Sequence, residues 1–133
     1  MTKAVGDRGE ILVANLLKAN GWQILETQWR CRWGEVDLIV CDRQWLLFIE
    51  VKTRNNHNWD SDGRLAITAK KQAKLIKAAS IFLSNHPHLA ELACRFDVAL
   101  VRWRKHNHET PNETVLDISQ FYLQEYIEQA FVP

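Results

Sequence analysis

GEVDLIVCDRQWLLFIEVKTR, residues 34–54, is the stretch whose reading decides the fold. Two runs rich in Val, Ile, Leu and Phe, Glu35 to Cys41 and Trp45 to Lys52, flank a polar interruption at Asp42-Arg43 and read as a β-hairpin. The second run is apolar on both faces, with Trp45, Leu47, Ile49 and Val51 on one and Leu46 and Phe48 on the other. That pattern suits a central strand covered on both sides. Glu50 and Lys52 end the run, and residues two apart in a strand share a face. A carboxylate in so apolar a setting needs a partner or holds its proton. Asp37 on the first run is the candidate. A turn at Arg43-Gln44 would set Asp37 opposite Glu50, and a loop centred between Asp42 and Arg43 would set it on the diagonal. A three-residue loop would turn Asp37 to the other face.

Around the hairpin the elements alternate. Asp7 to Asn20 reads as a helix, with Ile11, Ala14, Leu17 and Lys18 at helical spacing and Leu12 and Leu16 widening the apolar face. Asp7 is the expected cap and Asn20-Gly21 the expected end. Trp22 to Arg30 is a short mixed strand. Thr53 to Thr68 is a polar loop. Ala69 to Asn85 is a second helix with Leu75, Ile76, Ala79, Phe82 and Leu83 as its buried stripe, stopped by Pro87. Cys94 to Arg104 is a further strand, His106 to Glu113 a loop, and Ser119 to Ala130 an amphipathic helix. The order α-β-β-β-α-β-α makes this a mixed α/β (α+β) domain with helices packed on one sheet. A chain of 133 residues fits a single domain, 1–133, with a core over about 6–104 and an acidic C-terminal segment over 109–133.

Composition narrows the function. The chain is 47% hydrophobic and 25% charged, as in ordinary globular proteins, and lacks the run of ~20 apolar residues that a membrane helix needs. The N-terminal residues MTKAVGDRGE have no secretory pattern, so a cytoplasmic location is expected. Cys31, Cys41 and Cys94 are odd in number and not at C-x-x-C spacing, which speaks for reduced thiols. The five histidines have no zinc-site spacing, and no P-loop, dinucleotide or serine-hydrolase motif is present. Net charge is only +1, but the eight Lys/Arg between Arg43 and Lys77 outnumber three Asp/Glu. From Glu109 onward there are five Asp/Glu and no Lys or Arg. A basic middle favours an anionic partner there.

Two carboxylates side by side repel, and a divalent cation relieves this. Mg²⁺ is typically held by one or two carboxylates plus waters and phosphates. Such an ion polarises a phosphoryl group, and a nearby lysine stabilises developing charge. The bland alternative is a Glu50–Lys52 salt bridge, with Asp37 exposed at a sheet edge. The stretches GDRGE (6–10), CRWGEVDLIV (31–40), FIEVKTR (48–54), KKQAKL (70–75) and CRFDVALV (94–101) together resemble the PD-(D/E)xK nuclease superfamily of restriction endonucleases and Holliday-junction resolvases. Within it they are closest to the YraN-like bacterial proteins, a largely uncharacterised family. The resemblance implies a restriction-endonuclease-like core with a central mixed sheet flanked by helices, Mg²⁺ or Mn²⁺ as cofactor, and DNA as the partner, with branched structures among the substrates. By analogy it allows a homodimer. It makes Asp37 and Glu50 the metal-binding acids and Lys52 the catalytic lysine, while Val36 stands where the superfamily's name has proline.

The resemblance also adds Glu10 as a metal ligand, direct or through water, and Gln72 as a catalytic residue that positions the water or the acids. Each has a plainer reading. Asp7-x-x-Glu10 matches a capping box, and Gln72 fits a solvated helix position. Glu35 shares the face of Asp37 and reads as solvated, and Asp97 reads as half of a structural ion pair with an arginine. For nucleic acid the candidates are Arg54, Trp59, Arg64, Lys70, Lys71 and Lys74. Lys70, Lys74 and Lys77 form one helical stripe, and Trp59 on the polar loop before that helix is a candidate to stack on an exposed base. An ordinary solvated lysine face is the alternative. A rival function is a catalytically silent nucleic-acid-binding or scaffold protein on the same fold. A third is an interaction module using the acidic segment.

Overall fold

The computed structural model describes residues 3–55, 67–104 and 120–133. Helix α1 (Lys3–Ala19) leads into strands β1 (Gln23–Cys31), β2 (Gly34–Cys41) and β3 (Trp45–Asn55). Helix α2 (Ala69–Asn85), a 3₁₀ turn at Pro87–Leu89, β4 (Ala93–Trp103) and β5 (Phe121–Phe131) follow. The strands form one sheet in the order β1-β2-β3-β4-β5. β3 and β4 are parallel and every other neighbouring pair is antiparallel. Among the described residues no helix is long and apolar enough to cross a membrane.

The two-sided apolar pattern of β3 has the meaning expected of it. Leu47 and Ile49 pack with Val5, Val13 and Ala14 of α1. Leu46 and Phe48 pack with Leu75, Ala78, Ala79 and Phe82 of α2. The helices thus cover opposite faces of a mixed sheet, as the residues led one to expect. The hairpin turn is Arg43-Gln44. Asp42 N–H donates to the Trp45 carbonyl at 3.0 Å, and the Asp42 carboxylate accepts from Gln44 N (2.8 Å) and Trp45 N (2.7 Å). This Asx-type turn fixes the register Cys41↔Leu46 through Leu38↔Ile49. The pairing ends one residue short of Asp37 and Glu50.

Three expectations need correction. Ser119 to Ala130 is not a helix, because Phe121–Phe131 is the fifth strand and pairs antiparallel with β4. The apolar spacing of Leu123, Tyr126, Ile127 and Phe131 looks helical because β5 is irregular. Register shifts opposite Phe96/Val98 and Leu100/Val101 accompany Gln129 at φ 50°. Phe121, Leu123 and Tyr126 thereby face the α1 side, while Ile127 and Phe131 face the other. Bulges change which face each residue serves, so a period-two test fails on this strand. The core accordingly extends well past 104, since Phe121 is buried in it. Asp7 does not cap α1, which already runs from Lys3, and the side chain pairs instead with Lys3 Nζ at 3.0 Å.

Asp97 is held as the residues suggested. Its carboxylate accepts two bonds from Arg95 (2.9 and 3.0 Å), one from Tyr126 Oη (2.6 Å) and one from Gln129 N (2.9 Å). At 1% exposure the Asp97 side chain would be costly to bury without such partners. The network ties the irregular part of β5 to β4.

Candidate functional site

β2 and β3 part company where the acids sit. The paired register stops at Leu38↔Ile49, and beyond it the Asp37 carboxylate, not a backbone carbonyl, accepts the N–H of Val51 at 2.8 Å. β2 also changes face at this point. Leu38 packs in the α1-side cluster but Val36 in the α2-side cluster, although residues two apart in a regular strand share a face. β1 shows a matching break. Gln28, between Thr27↔Leu38 and Trp29↔Val36, has φ 49°, a region a long side chain seldom occupies. Its amide Nε2 donates to Asp7 Oδ1 at 2.7 Å and to Glu10 Oε1 at 3.1 Å. Nothing in the local sequence pattern marks Gln28, because its role depends on a helix 18 residues away.

Glu50 is 6% exposed at the apolar end of β3. Two ammonium groups face the same oxygen, with Lys71 Nζ at 2.5 Å and Lys52 Nζ at 3.7 Å from Oε1. Lys71, read as a nucleic-acid contact, is therefore turned toward Glu50. The sequence did carry a signal for this: Lys71 precedes Leu75, Ala78 and Phe82 by 4, 7 and 11 residues on the buried stripe. Gln72, one residue on, donates its amide to the Ile67 carbonyl at 3.2 Å, and among the described residues no hydrogen bond joins it to the acids. Thr68 caps α2 by accepting the N–H of Lys71 at 3.1 Å.

Burial, followed by the charge of Glu50, pushes Asp37 up to about 8, while the Val51 N–H works in the opposite direction. Burial also raises Glu10 to about 7 against the Gln28 hydrogen bond, and the charges of Asp7, Glu35 and Glu50 add to the rise. Lys52 is lowered by burial and by the neighbouring Lys71. Burial disfavours the charged form of Lys71 too, but its hydrogen bond and attraction to Glu50 outweigh that and raise it. The geometry thus concentrates carboxylates whose charges resist one another, the condition under which a divalent cation is welcome. The donors are all hard oxygens, which suits Mg²⁺ or Mn²⁺. Among the described residues no three His, Cys, Asp or Glu side chains close on one point at ligand distance. Asp37, Glu50 and Glu10 nevertheless feel one another's charge.

Glycine 9 explains how α1 comes close enough to bring Glu10 near. A Cβ added there would lie 2.1 Å from Thr53 Oγ1 on β3, so only glycine lets the helix seat this deeply. The capping-box role of Glu10 is excluded by its place well inside α1. Glu35 meets Arg30, its cross-strand neighbour, at 3.5 Å. Lys70 and Lys74 are exposed on the outer side of α2. Lys77 Nζ lies 4.1 Å from the ring centre of Trp33 in the β1–β2 turn, with Arg32 at 4.9 Å from the same ring. Arg54 donates to the Thr53 carbonyl at 3.0 Å. Trp59 and Arg64 lie outside the described residues.

Relatives of known sequence share most of this chain. A protein of Synechococcus sp. (strain JA-3-3Ab) is 57% identical over 75% of this chain and 76% of its own length. One of Acaryochloris marina is 44% identical over 96% and 89%, and one of Thermosynechococcus vestitus 47% identical over 96% and 93%. All three are described as UPF0102 proteins. The family model matches residues 9–101, which hold Glu10, Asp37, Glu50, Lys52 and Lys71. The chain belongs to the uncharacterised protein family UPF0102.

Proposed function

We propose that the chain is a metal-dependent nuclease that hydrolyses DNA phosphodiester bonds, with branched or recombining DNA as the substrate class. The observation that carries this reading is the burial of Asp37 within the field of Glu50, with Asp37 held by the Val51 N–H and Lys52 Nζ 3.7 Å from Glu50. Mg²⁺ or Mn²⁺ held by these two carboxylates would supply Lewis acidity toward a phosphoryl oxygen and a more acidic water. Lys52, 13% exposed and close to Glu50, would stabilise charge building on the phosphate. Glu10, lifted to about 7, is suited to accept or hold a proton near the pair, with Gln28 fixing its carboxylate. The Val51 N–H orients Asp37, whose carboxylate is thereby set between the strands. Lys70, Lys74 and Lys77 extend a positive stripe along α2 that suits a phosphate backbone. A cytoplasmic protein, working as a homodimer where both strands of a junction are cut, goes with this reading.

The test is a calorimetric titration with Mg²⁺ and Mn²⁺, followed by cleavage of linear, flapped and four-way DNA. Wild type should bind and cut, while Asp37→Ala and Glu50→Ala should do neither and still melt cooperatively. Normal cleavage by both variants refutes the assignment. A second reading, a nucleic-acid-binding protein without turnover, is favoured by one observation. Glu50 already has the Lys71 ammonium as a partner. DNA binding that is independent of metal, with no cleavage of any structure, would establish it.

A further inference from the structure

Of the two ammonium groups that the described residues bring to Glu50, Lys71 is the one with room to leave. Lys52 projects from the middle of the sheet and its side chain is 13% exposed. Lys71 stands in the first turn of α2 with its side chain 40% exposed, and it reaches inward to make the closer contact. A cation in that turn opposes the partial positive charge of the helix N-terminus. What holds it there is Glu50. An anion arriving at the same turn would be attracted by the positive end of the helix dipole, by Lys70 beside it and by Lys71 itself.

We propose that Lys71 is an exchangeable counter-ion which couples the binding of a nucleic-acid phosphate to the admission of a divalent cation at Asp37 and Glu50. The inference rests on the nuclease reading above. In the free protein the Lys71 ammonium covers Glu50 Oε1 and repels a second cation at that oxygen. A phosphodiester at the α2 N-terminus offers Lys71 an alternative anion. Once Lys71 turns outward, Glu50 and Asp37 face each other without their closest cation, and the divalent ion becomes the favoured replacement. The coupling is reciprocal, so the metal must also strengthen phosphate binding by the same factor. Metal-loaded protein without nucleic acid would thus be scarce, which limits idle turnover of the site. Lys71 acts through Glu50 and is a positioning residue.

The experiment is calorimetric titration of Mn²⁺ into the full chain, alone and with a non-cleavable phosphorothioate four-way DNA. It is run for wild type, Lys71→Met, Lys71→Arg and Asp37→Asn. Wild type is expected to bind Mn²⁺ roughly tenfold or more tightly when DNA is present, within the range usual for coupled sites. Lys71→Met should bind tightly without DNA and gain little from it, whereas Lys71→Arg, which keeps the cation, should behave as wild type. Asp37→Asn should abolish binding in both conditions. If wild type binds Mn²⁺ but Lys71→Met binds no more tightly without DNA, or gains as much from DNA, the coupling is refuted and the metal site stands. If wild type and Lys71→Met bind no Mn²⁺ even with DNA, the metal reading itself fails and the coupling with it. Thermal melts of each variant show whether the fold is retained, and Lys71→Gln repeats the neutral substitution if the methionine variant melts low.

Discussion

Gly9→Ala should destabilise the protein, and Thr53→Ala should rescue much of that loss. The new methyl would sit 2.1 Å from Thr53 Oγ1, 3.2 Å from its Cβ and 3.3 Å from its Cγ2. Separations below 3.0 Å force a shift, so helix and strand must part by nearly an ångström in a packed interior. Such overpacking costs about 1–3 kcal/mol, partly offset by the ~1 kcal/mol that alanine gains over glycine in a helix. The net expectation is a loss of about 1–2 kcal/mol. Thr53→Ala alone should be mild, because Oγ1 is buried without a hydrogen-bond partner and its removal offsets the lost methyl contact. In the double variant the nearest remaining atom is the Cβ at 3.2 Å, which needs only a few tenths of an ångström of adjustment. Urea denaturation of the four proteins gives the cycle. A favourable coupling of about 1–3 kcal/mol is expected. Additivity within about 0.5 kcal/mol, or a Gly9→Ala protein as stable as wild type, would refute the close seating of α1 on β3.

Other outcomes follow from the same geometry. The carboxyls of Asp37, raised to about 8, and Glu10, raised to about 7, keep protons in the folded chain that the unfolded chain has already released. Between about pH 4 and pH 8 the folded state therefore binds more protons, and the contribution of these groups to stability falls as pH rises. Metal-free wild type should lose stability from pH 5.5 to pH 8.5 more steeply than Asp37→Asn, with equal slopes in chemical denaturation counting against the burial of this acid. Mn²⁺ binding should change in the opposite sense, tightening with pH and releasing protons, as calorimetry in buffers of different ionisation heat would show. Asp97→Ala strands the Arg95 guanidinium and removes the anchors of Tyr126 and Gln129. A loss of about 3–5 kcal/mol is expected by denaturant titration, and a loss under 1 kcal/mol would show that the network is dispensable.

Much of the site was legible because its parts are local. A two-sided apolar strand, a tight polar turn and an E-x-K ending lie within 34–54, where backbone periodicity and turn chemistry act over a few residues. The limits of α2, Ala69–Asn85, were legible for the same reason, with Thr68 before it and Pro87 after it. Asp97 was legible as an ion pair because its arginine is two residues away on the same strand. Local reasoning failed on β5, where a helical apolar spacing is accommodated in a strand by two register shifts that only the pairing with β4 imposes. It also failed at the helix start, since the capping-box pattern of Asp7 and Glu10 is equally compatible with their bonds to Gln28.

The sequence by itself determined the two-sided burial of β3, the hairpin joining it to β2, and membership of a family whose matched region, 9–101, contains both, while the register of the hairpin was left to the structure. The buried stripe of α2 marks Lys71 as inward-facing, but tertiary structure alone brought its ammonium to Glu50. Lys71 and Gln72 differ by one residue, or about 100° of helix rotation, and the packing of Leu75, Ala78, Ala79 and Phe82 on the sheet selects Lys71. It alone opened the β2–β3 gap in which Asp37 bonds Val51, and it alone drew Gln28 to Glu10. The physical reason is common to these cases. Periodicity records which face a residue prefers within its own element, whereas the distance between elements is set by the fit of their packed surfaces.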